Sequence, residues 1–377
     1  MRVAVVSGIW PPDVGGPASH APEVAAFLHE REHGVEVVTT ASAPPAPEPY
    51  PVHWISRSLP KGVVHLRTAL EVARVARGAD VVYTTGMFGR SAAGARLARR
   101  PYVVKLTADP AFERARRRGV VGGTVDEFQR VGGGAAVRVL RAARDAELRG
   151  AAHVFTPSAY LRELAVSWGV DPDRVSVLPN PAPPPPQLAP RDELRARYGL
   201  DGPALAFAGR LAPQKSLRVA LEAVAAEPDV SFAIAGDGDE RGAVERAVGE
   251  LGLGDRVRLL GPLPRQGVLE LFAAADASLL SSSWENFPHT VVEALAVGTP
   301  VIATATGGVA EVVRDGENGL LVPVGDAAAL AEAIRRFFAD AELRSRLRAA
   351  AAPSVESYSR ERVFGMLEQT LLRTLAA

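Results

Sequence analysis

The sequence predicts an α/β protein with two doubly wound, Rossmann-like domains that face each other across a cleft. Three observations support this prediction. Short apolar segments alternate with helical segments twice along the chain, which is typical of parallel sheets covered by helices on both faces. A proline-rich stretch at residues 179–186 separates the two alternating halves. The length of 377 residues also exceeds what a single hydrophobic core usually serves.

The first half, residues 1–180, is predicted to be one domain. Its first strand is followed by a loop containing Pro11, Pro12, Gly15 and Gly16, and then by a helix around Glu23–Glu32. The predicted strands are Val3–Ser7, Val35–Thr39, Val52–Ile55, Val81–Thr84, Tyr102–Leu106 and His153–Thr156.

The second half repeats the alternation after a break. Proline cannot donate to a sheet and stiffens the chain toward polyproline II, so residues 181–200 are predicted to be a proline-rich linker with a helix at Arg191–Tyr198. The second domain covers residues 201–355, and residues 356–377 form a C-terminal helix with an apolar face. The predicted strands are Leu205–Ala208, Phe232–Ala235, Val257–Leu260, Ala277–Leu280, Val301–Ala303 and Gly319–Val322, and the helix face is Val363, Leu367, Leu371 and Leu375.

Composition excludes several classes of function. The chain has no cysteine, so disulfides, thiolate catalysis and cysteine–zinc sites are excluded. An apolar fraction of 47% indicates a well-buried globular protein. The N-terminus runs directly into a strand without the apolar core of a signal peptide, and no uncharged apolar run reaches about 18 residues. We therefore expect a cytoplasmic protein.

Charge is unevenly distributed although the net charge is zero. Residues 1–180 hold 23 Lys and Arg against 17 Asp and Glu, with much of the excess between Arg90 and Arg118. A basic segment at 90–118 can meet phosphates or an anionic membrane surface, which would make the protein peripheral at the inner membrane face. A solvated, arginine-rich helix is the equally weighted alternative. No zinc-finger or RNP motif indicates nucleic acid.

The most informative segment contains Glu285 and, eight residues later, Glu293. Glu285 lies in a loop after a buried strand, whereas Glu293 lies within the helix that begins near Pro288. The free N–H groups at a helix start favour an anion. A carboxylate in front of such a helix suits a ligand with a diphosphate and several hydroxyls, namely a nucleotide sugar, although two solvated glutamates are the chance alternative.

Three neighbouring motifs extend the pattern: Glu285-Asn286-Phe287-Pro288, then Glu293-Ala294-Leu295-Ala296-Val297-Gly298-Thr299-Pro300, then Gly307-Gly308-Val309-Ala310-Glu311. Together they closely resemble the signature of family 4 of retaining glycosyltransferases, the glycosyl transferases group 1, which have the GT-B fold. The resemblance covers nearly the whole chain and is densest from Ala204 to Val324. It implies that the C-terminal helix crosses back onto the N-terminal domain.

The resemblance also implies roles for individual residues. Glu285 would orient the sugar hydroxyls and Glu293 would hold the ribose. Arg210 and Lys215 would stabilise the departing diphosphate, because a guanidinium fork and a compact ammonium suit its oxygens. The base would lie near Leu263. The further donor-binding residues are Gly15, Gly16, Asn286, Phe287, Pro288, His289 and Thr290.

Asp109 marks a departure from the family pattern. Many members place a histidine close to the reacting sugar after the strand that matches Tyr102–Leu106, and Asp109 occupies that place here. A direct catalytic role for Asp109 and a turn role before Pro110 are equally weighted. The Gly236-Asp237-Gly238-Asp239 segment is predicted to be a turn and not a metal site, and the resemblance implies no metal cofactor.

The function implied is transfer of a hexose, with retention, from a UDP- or GDP-sugar to an acceptor hydroxyl, in glycolipid or polysaccharide synthesis. Two alternatives stay open. One is another GT-B enzyme, such as a sugar phosphorylase or a nucleotide-sugar epimerase, and the other is a non-catalytic nucleotide-sugar-binding subunit. A NAD-dependent dehydrogenase ranks lowest, because neither domain opens with a G-x-G-x-x-G fingerprint.

Overall fold

The computed structural model describes residues 1–13, 16–130 and 132–376. The chain forms two compact units: Met1–Asn180 together with Glu361–Ala377, and Pro181–Arg360. None of the helices that the structure describes combines the length and hydrophobicity of a membrane-spanning segment.

The first unit is built on a seven-stranded parallel sheet in the order β3-β2-β1-β4-β5-β6-β7. Its strands are β1 (Arg2–Ser7), β2 (Gly34–Ala41), β3 (Val52–Ser56), β4 (Val81–Thr84), β5 (Tyr102–Lys105), β6 (His153–Thr156) and β7 (Val175–Val177). Its helices up to residue 180 are α1 (Gly16–Glu30), α2 (Lys61–Gly78), α3 (Phe88–Ala98), α4 (Pro110–Arg117), α5 (Val125–Arg130), α6 (Ala135–Arg149) and α7 (Ala159–Ser167).

The second unit has a six-stranded parallel sheet in the order β10-β9-β8-β11-β12-β13. Its strands are β8 (Ala204–Ala208), β9 (Ser231–Ala235), β10 (Val257–Gly261), β11 (Ala277–Leu280), β12 (Val301–Thr304) and β13 (Gly319–Val322). Its helices are α8 (Arg191–Tyr198), α9 (Leu217–Ala225), α10 (Arg241–Glu250), α11 (Arg265–Ala274), α12 (His289–Ala296), α13 (Val309–Val312), α14 (Ala327–Ala339) and α15 (Ala341–Ser354).

The prediction of two doubly wound, Rossmann-like α/β units is confirmed. Strands such as β8 and β11 are buried along their whole length, as expected for a parallel sheet covered on both faces. In each sheet the strand order reverses once, between β1 and β4 and between β8 and β11. Loops leave opposite ways at a reversal and open a crevice beyond the carboxyl ends of the strands, which is where ligands bind in such folds.

One boundary and one strand differ from the sequence prediction. The predicted linker at 181–200 is shorter in the structure, because α8 belongs to the second unit, where Tyr198 donates to the Gly267 carbonyl at 2.9 Å and Arg197 pairs with Glu270 at 2.6 Å. The edge strand β7 was missed, because a three-residue Val-Ser-Val segment is too short to show a period.

The last helix, α16 (Arg360–Ala376), belongs to the first unit from Glu361 onward. Phe364 stacks on Phe27 of α1 with ring centroids 5.5 Å apart, and Glu368 pairs with His33 at 2.7 Å. Its fully buried side chains are Val363, Phe364, Leu367 and Leu371. The predicted apolar face is therefore correct except at Leu375, which is exposed near the end of the helix.

Candidate functional site

The candidate site of the second unit lies at the β8–β11 reversal. The loop after β8 carries Arg210 and Lys215, and the loop after β11 carries Glu285. Because β8 and β11 are parallel neighbours, both loops leave the same edge of the sheet. Residues that are 70 positions apart in the chain are thereby brought into contact.

Glu285 and Lys215 form an ion pair at this edge. Lys215 Nζ donates to Glu285 Oε1, and Ser282 Oγ donates to the same oxygen at 2.8 Å. The carboxylate side chain is only 8% exposed, so the pair is well shielded from water. Among the described residues no hydrogen bond engages Oε2, which leaves that oxygen available to a ligand hydroxyl.

The two loops are also joined through their backbones. Gln214 Nε2 donates to the Trp284 carbonyl at 2.6 Å, and Ser281 Oγ donates to the Lys215 carbonyl at 2.8 Å. Ser281 and Ser282 were not among the predicted site residues, and the sequence signal for them was the Ser281-Ser282-Ser283 run at the end of the strand. These hydroxyls fix the loop positions, so the Lys215–Glu285 geometry is set before a ligand arrives.

The segment after β12 supports the Glu285 loop from the other side. Gly308 N donates to the Glu285 carbonyl at 3.1 Å, and Thr306 Oγ1 donates to the Ser283 carbonyl at 3.2 Å. Gly307 has φ +47° and approaches so closely that a Cβ there would lie 1.8 Å from the Glu285 carbonyl oxygen. Only glycine fits this position, which explains physically the first glycine of the pair in the third motif.

We expect Gly307→Ala to lower kcat about 100-fold, since the new methyl group must push the Glu285 carbonyl away and a displacement of about 1 Å can cost that much. Gly298→Ala is the matched control, because Gly298 also has positive φ but its Cβ would meet nothing within 4 Å. Steady-state kinetics of both variants with thermal unfolding curves separate displacement from backbone strain. An equal loss of kcat in both variants would contradict the explanation by displacement of the Glu285 carbonyl.

A cavity of about 400 Å³ lies beside this cluster, within the second unit. Four predicted site residues line it, namely Arg210, Leu263, Thr290 and Glu293. Pro262, Leu263 and Val268 give one wall an apolar surface, and Arg210, Arg265, Asp237 and Glu293 supply charge. A cavity that is apolar in part and charged in part suits a nucleoside with an attached phosphate.

Glu293 projects from α12 toward this cavity. Arg265 Nε, in the first turn of α11, lies 3.5 Å from Glu293 Oε1. The Glu293 side chain is 16% exposed and that of Arg265 is 48% exposed, so a ligand can reach both. The sequence analysis missed Arg265, and its only signal was a cation directly after the Leu263-Pro264 turn.

Arg210 lies at the rim of the cavity and is strongly exposed. Its guanidinium pairs with Asp239 at 3.0 Å in the Gly236–Asp239 turn. Such exposed pairs contribute little to stability, so Arg210 can exchange Asp239 for a ligand anion. Asp237 in the same turn lies 3.9 Å from Arg241, and no group of three potential metal-binding side chains occurs among the described residues.

The start of α12 follows the predicted Asn286-Phe287-Pro288 segment. Pro288 is the N-cap, no side-chain hydrogen bond caps the helix, and its first turn holds no acid, so the start of α12 suits a ligand anion. Phe287 is buried and stacks edge-on against Tyr358, with ring centroids 5.9 Å apart. Phe287 and the buried Asn286 therefore shape the loop from inside, while His289 is exposed and Thr290 lines the cavity.

The predicted site residues of the first unit are Gly15, Gly16 and Asp109. Gly15 lies outside the described residues, and Gly16 is the first residue of α1. Asp109 is the N-cap of α4, where its Oδ1 accepts from the backbone N–H groups of Ala111 at 2.8 Å and Phe112 at 3.3 Å. Its backbone position thus agrees with the turn alternative.

Asp109 is fully buried, and its second oxygen is also engaged. Oδ2 accepts from Arg144 Nη1 at 2.9 Å and from Gln129 Nε2 at 2.9 Å. Arg144 is itself buried and lies over the Trp168 ring at 3.9 Å. A carboxylate with both oxygens committed and no exposure favours the turn alternative, and the direct catalytic role of Asp109 stays a prediction.

Comparisons with known proteins divide the chain near residue 180, where the two structural units also meet along the chain. Residues 15–181 match the model of the glycosyl transferase 4-like domain, and residues 190–353 match that of glycosyl transferases group 1. The curated relatives include the lipopolysaccharide core biosynthesis glycosyltransferase LpsE of Rhizobium meliloti, 39% identical over 147 residues, which are 39% of this chain and 43% of LpsE. They also include the α-D-kanosaminyltransferase of Streptomyces kanamyceticus, 34% identical over 168 residues, which are 43% of this chain and 44% of that protein.

These matches span less than half the length of either relative. Among solved structures, HepE of Anabaena in complex with UDP and glucose superposes with a TM-score of 0.80 over 99% of both chains at 21% identity. At that identity the likeness establishes the fold and nothing finer.

Proposed function

Because the chain joins a glycosyl transferase 4-like domain to a group 1 glycosyl transferase domain in the GT-B fold, we propose that the protein transfers a hexose from a nucleoside diphosphate sugar to an acceptor hydroxyl. The observation that carries the proposal is the Lys215–Glu285 pair beside the cavity lined by Arg210 and Glu293. It combines cations for a diphosphate, a carboxylate oxygen for sugar hydroxyls and a second carboxylate for ribose.

This geometry supports the following donor-binding roles, which are part of the proposal. The base lies against Leu263 and Pro262, and Glu293 accepts hydrogen bonds from the ribose hydroxyls. Arg210, Lys215 and the N-terminal end of α12 hold the diphosphate. Glu285 Oε2 accepts from a hydroxyl of the transferred sugar.

The reaction we propose proceeds with retention of anomeric configuration. The bond from the anomeric carbon to the diphosphate oxygen breaks, and the acceptor oxygen bonds to that carbon from the same face. The leaving phosphate accepts the acceptor's proton, so no nucleophile from the chain is needed. Lys215 and Arg210 stabilise the negative charge that develops on the diphosphate, and we propose that they do so without a metal cofactor.

Incubation with UDP-, GDP- and ADP-hexoses and a panel of glycan and lipid acceptors, followed by NMR of the product anomer, tests the proposal. We expect an α-linked product from an α-linked donor, with full activity in EDTA. An inverted product overturns retention, and loss of activity in EDTA that magnesium restores overturns metal independence. Nucleotide binding without any turnover indicates a binding subunit.

We expect Arg210→Ala to weaken UDP binding tenfold to about 100-fold, because a hydrogen bond to a charged group contributes about 1.5–3 kcal/mol. Calorimetric titration with UDP measures the change. Arg241→Ala is the control, since Arg241 is a cation in the first turn of α10 that does not line the cavity. Unchanged UDP affinity in Arg210→Ala would remove Arg210 from the site.

We also propose a cytoplasmic location with peripheral contact at the inner membrane face. The support is the end of α3, where Arg96, Leu97 and Arg99 are all exposed. Arginines around an exposed leucine suit an anionic bilayer surface. Co-sedimentation with phosphatidylglycerol vesicles should fall in the Arg96→Gln/Arg99→Gln double variant, and equal co-sedimentation of both proteins would exclude this contact.

A further inference from the structure

Three arginines follow three successive strands of the first unit at the carboxyl edge of the sheet. Arg57 comes directly after β3, Arg90 lies in the first turn of α3 after β4, and Arg114 lies on α4 after β5. We refer to Arg57, Arg90 and Arg114 as the arginine cluster. The donor site described above uses none of them.

A hydrogen bond from its guanidinium to the backbone places Arg57 near the start of α3. Arg57 Nη2 donates to the Gly8 carbonyl at 2.5 Å. Gly8 in turn lies against the residue that precedes α3, since a Cβ on Gly8 would be 3.3 Å from Cγ of Met87. Gly8, in the loop after β1, therefore lies between Arg57 and the start of α3.

Arg114 approaches the same turn through Glu147. Arg114 Nη2 pairs with Glu147 Oε2 at 3.2 Å. A Cβ on Gly89, the residue before Arg90, would lie 2.7 Å from Glu147 Oε1. The Arg114–Glu147 pair thus packs directly against the first turn of α3.

The charges of the cluster are incompletely balanced. Asp13 pairs with Arg57 at 3.0 Å and Glu147 pairs with Arg114, but no carboxylate among the described residues pairs with Arg90. Arg90 is nevertheless half-buried. Burial lowers the pKa of its guanidinium, and the positive charges of Arg114 and Arg57 lower it further. Arginine still stays charged at neutral pH, so the site holds an unneutralised, partly desolvated cation.

We propose that the arginine cluster binds a phosphate ester carried by the acceptor. Arg90 offers a planar fork of N–H donors to the phosphate oxygens, and the uncapped start of α3 adds free backbone N–H groups. Because Arg57 and Arg114 are each paired with a carboxylate, the net positive charge of the cluster is that of Arg90, and this charge attracts an anion. That the ligand is an acceptor rests on the proposed function, whereas the anion site rests on the cluster alone.

Calorimetric titration of inorganic phosphate into the full chain tests the site. UDP is added first at saturation, so that the donor's diphosphate site is filled. We expect Arg90→Gln to weaken phosphate binding at least tenfold. Arg90→Lys keeps the charge but not the planar fork, so its phosphate affinity should lie between those of the wild type and Arg90→Gln. Arg67→Gln is the control, because Arg67 is an exposed arginine of α2 and should leave phosphate affinity within twofold.

Three results would overturn the proposal: no phosphate binding to the wild type, equal affinity in wild type and Arg90→Gln, or a fall of UDP affinity in Arg90→Gln, which would assign Arg90 to the donor. If UDP itself does not bind, the proposed function fails. Phosphate titration of the UDP-free protein then still decides the arginine cluster.

Competition identifies the source of the phosphate. Displacement of bound phosphate by glucose 6-phosphate supports a soluble sugar phosphate as acceptor, and displacement by dihexanoylphosphatidic acid supports a lipid-linked one. Displacement by neither overturns the assignment to a phosphate ester. Thermal unfolding of Arg90→Gln confirms that the variant is folded under the titration conditions.

Discussion

Glu285→Gln should reduce transfer about a thousandfold while the protein stays folded. The amide keeps the size of the side chain but removes the negative charge of the carboxylate, to whose Oε1 both Lys215 and Ser282 donate. An amide also has only one acceptor oxygen, so it cannot accept both from Lys215 and Ser282 and from a sugar hydroxyl. Loss of one preorganised electrostatic contact typically costs about 100- to 1,000-fold in kcat, and here two contacts change together. Initial rates at saturating donor measure the effect.

Glu293→Gln is the informative comparison, because it removes a carboxylate that lies eight positions further along the chain and lines the cavity of the second unit. We expect it to raise KM for the donor and leave kcat within a few-fold, since ribose binding is equal in ground and transition states. A wild-type rate in Glu285→Gln would exclude the assigned role of Glu285. Equal loss of kcat in both variants would show that the two glutamates do not divide the work as proposed.

Asp109→Ala should destabilise the protein by about 3–5 kcal/mol, because it leaves Arg144 buried without its main partner and removes the cap of α4. Denaturant unfolding of the full chain measures the loss of stability, from the transition in which the first unit unfolds. Adding Arg144→Met should recover part of it, since an unpaired buried charge is the larger cost. Asp145→Ala is the matched control: Asp145 also pairs with Arg144 but is 20% exposed, so its loss should cost about 1 kcal/mol or less.

The same variant separates structure from catalysis at this position. For the folded fraction of Asp109→Ala we expect kcat within about threefold of the wild type, because the carboxylate is buried with both oxygens engaged. Full stability combined with a collapse of kcat would instead support the catalytic role.

Most of the architecture could be predicted from the sequence because buried parallel strands leave a strong local signal. The apolar segments at Leu205–Ala208 and Ala277–Leu280 became β8 and β11, and Pro288 and Gly298 bounded α12 as expected. Glu285 was recognisable because its motif lies at fixed offsets in one stretch of chain. The β7 strand was not, because three residues at a sheet edge carry little pattern.

The contacts that give the residues their chemistry were less accessible. Lys215 contacts Glu285, which lies 70 positions later, only because β8 and β11 are neighbouring strands, and Asp109 contacts Arg144 across 35 positions. Spacing along the chain reports neither contact. Asp109 showed the difficulty most clearly, since an aspartate before a proline reads the same whether its carboxylate faces a ligand or an arginine.

The return of α16 to the first unit has a practical consequence for dissecting the molecule. Pro181–Arg360 is a single uninterrupted stretch of chain, so a gene fragment encoding it can be expressed as it stands to test whether the second unit alone binds a nucleotide. The first unit allows no such cut: a fragment ending at Asn180 lacks Phe364 and Leu367, whose side chains are fully buried in its core. Its isolation requires a designed splice from Asn180 to Glu361, and a simple C-terminal truncation of the whole protein would damage the half farthest from it in sequence.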